Sequence, residues 1–202
     1  NISMNNKFSL QDNLYRFPYH YLPSLDEAGN FTRYRSLRWG FAYLCCLLHT
    51  VSLIEKESPT EILDIGCGDG RLLSLLSNQA SCLCTGIDPS ERAIALARAL
   101  NPKYRFICAQ TASLDEKFFM VNCSEVLEHI PDNEIGSFVS AAAERVKPGG
   151  TMLVSVPTLN RPFSRKHFRH YDEKSLLEHL DPAKHNLQVI EINHVFNGND
   201  PF

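Results

Sequence analysis

The run Glu61-Ile62-Leu63-Asp64-Ile65-Gly66-Cys67-Gly68-Asp69-Gly70 constrains the fold of this chain more than any other stretch. A short apolar strand signal meets glycines at alternate positions, and Arg71-Leu72-Leu73-Ser74-Leu75-Leu76 follows with neither Gly nor Pro. That pattern reads as strand, tight turn, helix. A glycine turn at a helix start aims backbone N–H groups at a ligand and puts no Cβ in its way. Asp64 closes the strand and Asp69 sits inside the turn. So much negative charge opposes a phosphate and suits a ligand with a cationic end. The spacing is G-x-G-x-G, not the G-x-G-x-x-G of dinucleotide-binding turns.

Beyond the turn, strand and helix signals alternate. Strands are expected at Glu61–Ile65, Cys82–Ile87, Tyr104–Cys108, Phe118–Cys123 and Thr151–Val156. Helices are expected at Arg71–Ser77, at Ser90–Leu100 capped by Ser90, and at Asp132–Val146 capped by Asp132, with a turn at Lys147-Pro148-Gly149-Gly150. The alternation predicts an α/β fold, a doubly wound, mostly parallel sheet with helices on both faces. In such a sheet the ligand lies outside the carboxyl ends of the strands. Five groups fall there: Asp64 with the glycine turn, Asp88, Ala109-Gln110-Thr111, Ser124 to Pro131, and Val156 to Asn160. An acidic residue at the position of Asp88 can accept from both hydroxyls of a ribose. A helix over Asp172–Leu180 and a strand over Leu187–Phe196 complete the pattern.

Before the glycine turn, the chain reads as an extension, residues 1–58, on a main domain, residues 59–202. Asn1 to Asn13 is polar and expected to fray. Tyr15-Arg16-Phe17-Pro18-Tyr19-His20-Tyr21-Leu22-Pro23 holds two prolines and so no regular helix. Its aromatic density suits either a buttress on the core or one wall of a binding site. Arg33–Glu57 lacks Pro and reads as one helix, with Trp39, Tyr43, Cys46, Leu47, Thr50 and Leu53 on its apolar face.

The 202 residues fit one domain with a short extension. A formal net charge of -3 gives no broad basic excess, so nucleic acid is not an expected partner. Seven cysteines without a C-x-x-C pair imply reduced thiols in a soluble cytoplasmic protein. The longest apolar stretch, around Phe41 to Leu48, is too short to span a membrane.

Four ordered segments carry a family resemblance: L-D-I-G-C-G-D-G, then T-G-I-D-P-S, then C-S-E-V-L-E-H-I-P-D, then V-K-P-G-G-T-M-L-V-S-V-P. Together, over roughly residues 60–160 and weakly to 196, they resemble class I S-adenosylmethionine-dependent methyltransferases, with their Rossmann-like fold. E-V-L-E-H-I-P-D is especially similar to enzymes of the ubiquinone O-methyltransferase type. The resemblance implies S-adenosyl-L-methionine as cofactor, a small-molecule acceptor methylated at oxygen, and a homodimer as an open possibility. It implies that Gly66, Cys67, Gly68 and Gly70 pass close to the methionine part and that Asp64 helps hold its α-amino group. Asp88 would chelate the ribose, Ile87 and Pro89 flank the adenosine, Gln110 and Thr111 meet the adenine, and Ser124 and Glu125 lie beside the sulfonium. Two departures are visible: Phe118-Phe119-Met120-Val121 lacks the Asp of a common F-D-x-V, and Gln110 stands where an acidic residue is common. The resemblance also implies a seventh, antiparallel strand. No residues follow Phe202 to build it, which implies a shortened C-terminus or another element, such as one from a partner chain, in that slot.

Methylating a hydroxyl requires alignment, exclusion of water and removal of a proton. His129, with Glu128 beside it, is the first candidate base, set against a purely structural role in holding its loop. His20, with Tyr19 and Tyr21, is the second. This small-molecule reading assigns no metal. An alternative does: Glu125-x-x-Glu128-His129 with a later His167 or His170 resembles metal-dependent RNA 2′-O-methyltransferases, and Arg161 to Tyr171 holds four basic and three aromatic side chains. A third alternative is a non-catalytic module that keeps the cofactor fold.

Overall fold

The computed structural model describes residues 4–22, 24–25, 28, 30–32, 40–76 and 82–195. Its strands are β1 (Ser24–Leu25), β2 (Phe31–Thr32), β3 (Glu61–Ile65), β4 (Leu83–Asp88), β5 (Arg105–Cys108), β6 (Phe118–Ser124) and β7 (Val146–Ser155). Its α-helices are α1 (Met4–Asp12), α2 (Gly40–Glu57), α3 (Arg71–Leu75), α4 (Glu91–Leu100), α5 (Ile135–Glu144) and α6 (Glu173–Leu180). β1 and β2 form a small antiparallel pair, and the other five strands form one parallel sheet in the order β5-β4-β3-β6-β7. The chain leaves β3 towards β4 on one side and later returns to β6 on the other. The carboxyl ends of β3 and its neighbours therefore form the switch point, the place where open α/β sheets bind ligands.

Side chains alternate along β3 as the pleat requires. Ile62 packs with Leu47, Val51 and Ile54 of α2, Leu72 and Leu73 of α3 and Ile94 of α4. Leu63 and Ile65 face the other way, with Ile87, Phe118, Val121 and Ala142 of α5. Burial on both faces is why these strands read as apolar runs.

The five core strands and the helix after Ser90 match expectation, Ser90 Oγ accepting from the Ala93 N–H at 3.2 Å. Elsewhere the structure corrects the sequence reading. Met4–Asp12 is a helix, not a frayed end, because it docks on the 163–170 loop: Lys7 lies over the Phe168 ring at 4.1 Å. The buried stripe of α2 is Leu44, Leu47, Thr50, Val51 and Ile54, rotated from the expected face; Arg33 to Trp39 lie outside the described residues. Asp132 does not cap α5. Its carboxylate pairs with Arg169, while Pro131 supplies the carbonyl that accepts from Glu134 and Ile135, each at 3.0 Å. Lys147–Gly150 is a bulge within β7, between the pairs Phe118–Val146 and Met120–Thr151. Residues 187–195 form no strand: among the described residues no strand pairs with them, and Val189, Ile190 and Ile192 are exposed; Phe196 lies outside the described residues. Among the described residues, no helix is long and apolar enough to cross a membrane.

Candidate active site

At the end of β3 the chain turns with Gly66 and Gly68 at φ +70° and +54°, backbone that disfavours any residue with a Cβ. The amides of Gly66 and Cys67 donate to the Ile87 carbonyl of β4 at 2.8 and 3.0 Å. Asp88 ends β4 and accepts from the Gly68 N–H at 3.1 Å and from the Ser90 N–H at 2.8 Å. One carboxylate thus pins both the turn and the start of α4. Asp64 is 3% exposed. Asn122, its neighbour on β6, donates from Nδ2 to Asp64 Oδ1 at 2.7 Å, and Ser124 Oγ donates to Asn122 Oδ1 at 2.8 Å. Burial pushes the Asp64 carboxyl up to about 7, opposed by the Asn122 hydrogen bond and helped by the nearby Asp88. Among the described residues, no positive group offsets that burial.

Asp69 differs from Asp64. It is fully buried, but His20 satisfies it, with Nδ1 2.9 Å from Oδ1 and the backbone N–H 3.3 Å from Oδ2. The cationic end expected opposite this residue is replaced by the chain's own histidine. Tyr15 Oη lies 2.6 Å from where a Cβ on Gly68 would stand, and Tyr15 and Tyr19 pack on Ala93 of α4. The aromatic arm therefore buttresses the core and walls the glycine turn at once.

The second half of the site follows β6. Glu125 stands at φ +56°, a conformation costly for a residue with a side chain. Leu127–His129 forms one helical turn. Glu128 is 1% exposed, and neither carboxylate oxygen has a hydrogen-bond donor. Burial, reinforced by Glu125, drives its carboxyl well above the usual range. His129 Nδ1 lies 3.2 Å from the Lys166 carbonyl. A carbonyl only accepts, so Nδ1 carries the proton. Burial, helped by the positive charge of Lys166, holds the ring's pKa well below its ordinary value, so the ring is neutral and Nε2 keeps its lone pair. That lone pair is 3.8 Å from Glu128 Oε1. His167 meets His129 edge-to-face at 4.8 Å and has Nδ1 2.8 Å from His170 Nε2. One ligand atom each from Glu128, His129 and His167 lies within 4.8 Å of the others. The loop that brings His167 here is drawn in by the Phe168 N–H to the Glu128 carbonyl, 2.7 Å, and by Arg169 to the Leu127 carbonyl, 2.7 Å.

Residues 31–194 match a family described as a methyltransferase domain. The chain belongs to this methyltransferase family. The ubiquinone biosynthesis O-methyltransferase of Azoarcus sp. (strain BH72) is 38% identical to it over 133 residues, 62% of this chain and 55% of that enzyme. The chain spans about half the length of the curated relatives it matches. Magnesium protoporphyrin IX methyltransferase from Synechocystis PCC 6803, solved with bound SAM, aligns with a TM-score of 0.65 at 19% identity, over 90% of this chain and 86% of that one. The [4+2]-cyclase SpnF aligns with a TM-score of 0.54 at 23% identity, over 67% of this chain and 56% of that one. These two likenesses concern the fold, and one fold hosts more than one reaction.

Within this methyltransferase domain, the structure gathers most of the expected site residues into the two groups described. Asp64, Gly66, Gly68, Gly70 and Asp88 lie together at the carboxyl ends of β3 and β4. Cys67 is there through its backbone only; its side chain is packed in the core with Ile62 and Leu73. Pro89 and Gln110 are exposed at the rim, whereas Thr111 is buried. Ser124 joins the Asp64 group through Asn122. Glu128 and His129 belong to the second group with His167; Glu125 is exposed and outside that cluster. His20 sits at the glycine turn, with Asp69, not with His129. Sequence reasoning missed Asn122, whose signal was a lone amide in the apolar strand β6, and Gln11, which has no local signal.

Proposed function

We propose that this chain transfers the methyl group of S-adenosyl-L-methionine to an oxygen of a small-molecule acceptor. The observation that carries the cofactor reading is Asp64, a buried carboxylate at the switch point with no cationic partner among the described residues. The α-ammonium of the cofactor has the charge that this site lacks. Asp88 adds a second acidic group one strand away, suited to ribose hydroxyls, with Pro89, Gln110 and Thr111 on the adenosine side. Gly66 to Gly70, with the backbone of Cys67, run along the methionine part, and Ser124 and Glu125 lie beside the sulfonium. When bound, the cofactor supplies an activated methyl group on a cationic sulfur.

The acceptor side is read from the second group. His129 Nε2 has the free lone pair that can take a proton from an acceptor hydroxyl, and Glu128 lies where it can stabilise the resulting imidazolium. His20 is the second candidate, at the cofactor end. Within residues 1–58, α2 packs on β3 in the core, and the aromatic arm Tyr15–Leu22 is the part that serves as a cap on residues 59–202. The ubiquinone O-methyltransferases among the relatives support oxygen as the methylated atom and a small molecule as the acceptor. Thermal unfolding with S-adenosylhomocysteine, and with NAD as control, tests the cofactor. A ligand at a hundredfold its Kd adds about 2.7 kcal/mol. A rise in Tm with the homocysteine compound alone is expected, and no rise in a folded sample favours a non-catalytic module.

One observation favours a second reading of the acceptor end. The His129 Nε2 lone pair and the Glu128 carboxylate face each other at 3.8 Å with no donor on the carboxylate. A divalent cation shared with His167 meets the needs of all three groups, and it lowers the pKa of a bound acceptor hydroxyl. Calorimetric titration with Mn²⁺ or Mg²⁺, wild type against His167→Ala, separates the readings. Stoichiometric binding lost in the variant supports the cation; no heat in either protein leaves His129 as the base.

A further inference from the structure

One amide side chain touches both the aromatic arm at the glycine turn and the loop at the acceptor end. Gln11 lies on α1, between the aromatic arm and the loop of residues 161–171. Lys166 Nζ donates to Gln11 Oε1 at 2.7 Å, and Gln11 Nε2 donates to Tyr19 Oη at 3.2 Å. Chemistry fixes this orientation: an ammonium only donates, so it takes Oε1 and leaves the NH₂ for the tyrosine.

From Tyr19 the contacts run to the glycine turn. The Tyr19 and Tyr15 hydroxyls are hydrogen-bonded, with their rings 5.4 Å apart, and Tyr15 Oη fills the space above Gly68. Tyr19 also packs on the His20 ring at 4.0 Å, and His20 binds Asp69. From Lys166 the contacts run to the acceptor end. Its carbonyl holds His129 Nδ1 at 3.2 Å and so decides which imidazole nitrogen is free.

The helix has other anchors. Lys7 Nζ donates to the His167 carbonyl at 2.5 Å, and Asp12 accepts from Ser90 Oγ at 2.5 Å and pairs with Arg92 at 3.1 Å. Changing the Gln11 side chain therefore cuts the direct Lys166–Tyr19 link, while Lys7 and Asp12 keep α1 docked on both ends.

We propose that Gln11 is a positioning residue through which cofactor binding at the glycine turn orders the 161–171 loop, and with it His129. The inference rests on the cofactor reading given above. A ligand on the turn fixes Tyr15 and Tyr19, Tyr19 holds the Gln11 amide, and the amide holds Lys166. Such coupling is a free energy shared equally by both ends.

Hydrogen–deuterium exchange on the full chain, with and without saturating S-adenosylhomocysteine, tests this in wild type, Gln11→Met, Gln11→Glu and Tyr19→Phe. In wild type the ligand slows exchange at residues 66–70 and also at 161–171, the latter about fivefold or more. Gln11→Met keeps protection at 66–70 and loses it at 161–171. Tyr19→Phe gives the same split from the other side of the joint, and carries the test if Gln11→Met fails to fold. Gln11→Glu restores the coupling, because its carboxylate takes Lys166 and accepts from the Tyr19 hydroxyl. A loop response that persists in both Gln11→Met and Tyr19→Phe overturns the proposal, as does wild-type protection confined to 66–70. No protection at either place in wild type removes the cofactor reading and the proposal with it.

Discussion

The two halves of the site treat buried acid groups in opposite ways. At the ends of β3 and β4 the carboxylates are tied to the chain itself: Asp88 to two backbone amides, Asp69 to His20, Asp64 to Asn122. After β6, Glu128 is as deeply buried, and among the described residues no side chain donates to its carboxylate. A satisfied carboxylate fixes backbone before any ligand arrives, whereas an unsatisfied one stores a desolvation cost for something else to relieve. Apart from Asp64, whose amide partner carries no charge, the first half is built to hold a shape, and the second is built to receive a charge or a proton.

The largest expected effects come from breaking each half separately. Asp88→Ala frees the Gly68 and Ser90 amides together. It is expected to weaken S-adenosylhomocysteine binding by about a hundredfold, two charge-assisted hydrogen bonds at about 1.5 kcal/mol each. Calorimetry reads this directly. Glu128→Gln is expected to leave that affinity unchanged, to lower turnover at least about a hundredfold by removing a group from the proton path, and to raise Tm by a few degrees because a buried unpaired acid is gone. If Glu128→Gln weakens the cofactor as Asp88→Ala does, the two halves are one unit and the comparison fails.

Next in size is a pH effect confined to the first half. The Asp64 carboxyl is pushed from 3.8 up to about 7 by burial. Raised in the folded state, it contributes stability below the unfolded value that is lost as pH rises through 7, on the order of 4 kcal/mol at most. A cationic ligand favours the ionised form and releases the proton. Affinity for S-adenosylhomocysteine should therefore climb from pH 5 to about 7 and then level. Asp64→Asn should flatten the climb, and Asn122→Ala, which removes the lowering hydrogen bond, should move its midpoint upward. A pH-independent affinity in wild type refutes the assignment of Asp64 to the cationic end.

The same contrast explains what was legible in the sequence. The first half lies in contiguous motifs, each a strand end with its turn, so local chemistry named Asp64, the glycines and Asp88 and ordered the parallel core. The second half is assembled from segments far apart in the chain. Glu128 and His129 stand in one motif, but their neighbours His167, Lys166 and Gln11 arrive by loop docking that no local pattern encodes. The misread elements share that cause. Met4–Asp12 is helical because of its partners in the 163–170 loop, and Asp132 was taken from its capping role by Arg169, thirty-seven positions away. Leu187–Val195 has strand-forming residues but no pairing strand among the described residues, and strand residues without a partner do not make a strand.

The smallest effect sharpens the comparison most cheaply, by setting two helix caps of like chemistry against each other. Asp172 caps α6 in a reciprocal box with Ser175, whose N–H it accepts at 2.8 Å. Ser90 caps α4 by accepting from Ala93 at 3.2 Å, but its hydroxyl also donates to Asp12 at the end of α1 and its own amide is held by Asp88. Replacing either cap by Ala should cost about 1 kcal/mol of stability, seen as similar drops in urea midpoint. Only Ser90→Ala also removes the hydroxyl that donates to the Asp12 carboxylate and so loosens the arm over the glycine turn, so it alone should weaken S-adenosylhomocysteine binding, by about a few fold. Equal affinities in the two variants would mean that the Asp12 contact holds α1 in place without bearing on the turn, and that preorganisation of the cofactor end stops at Asp88.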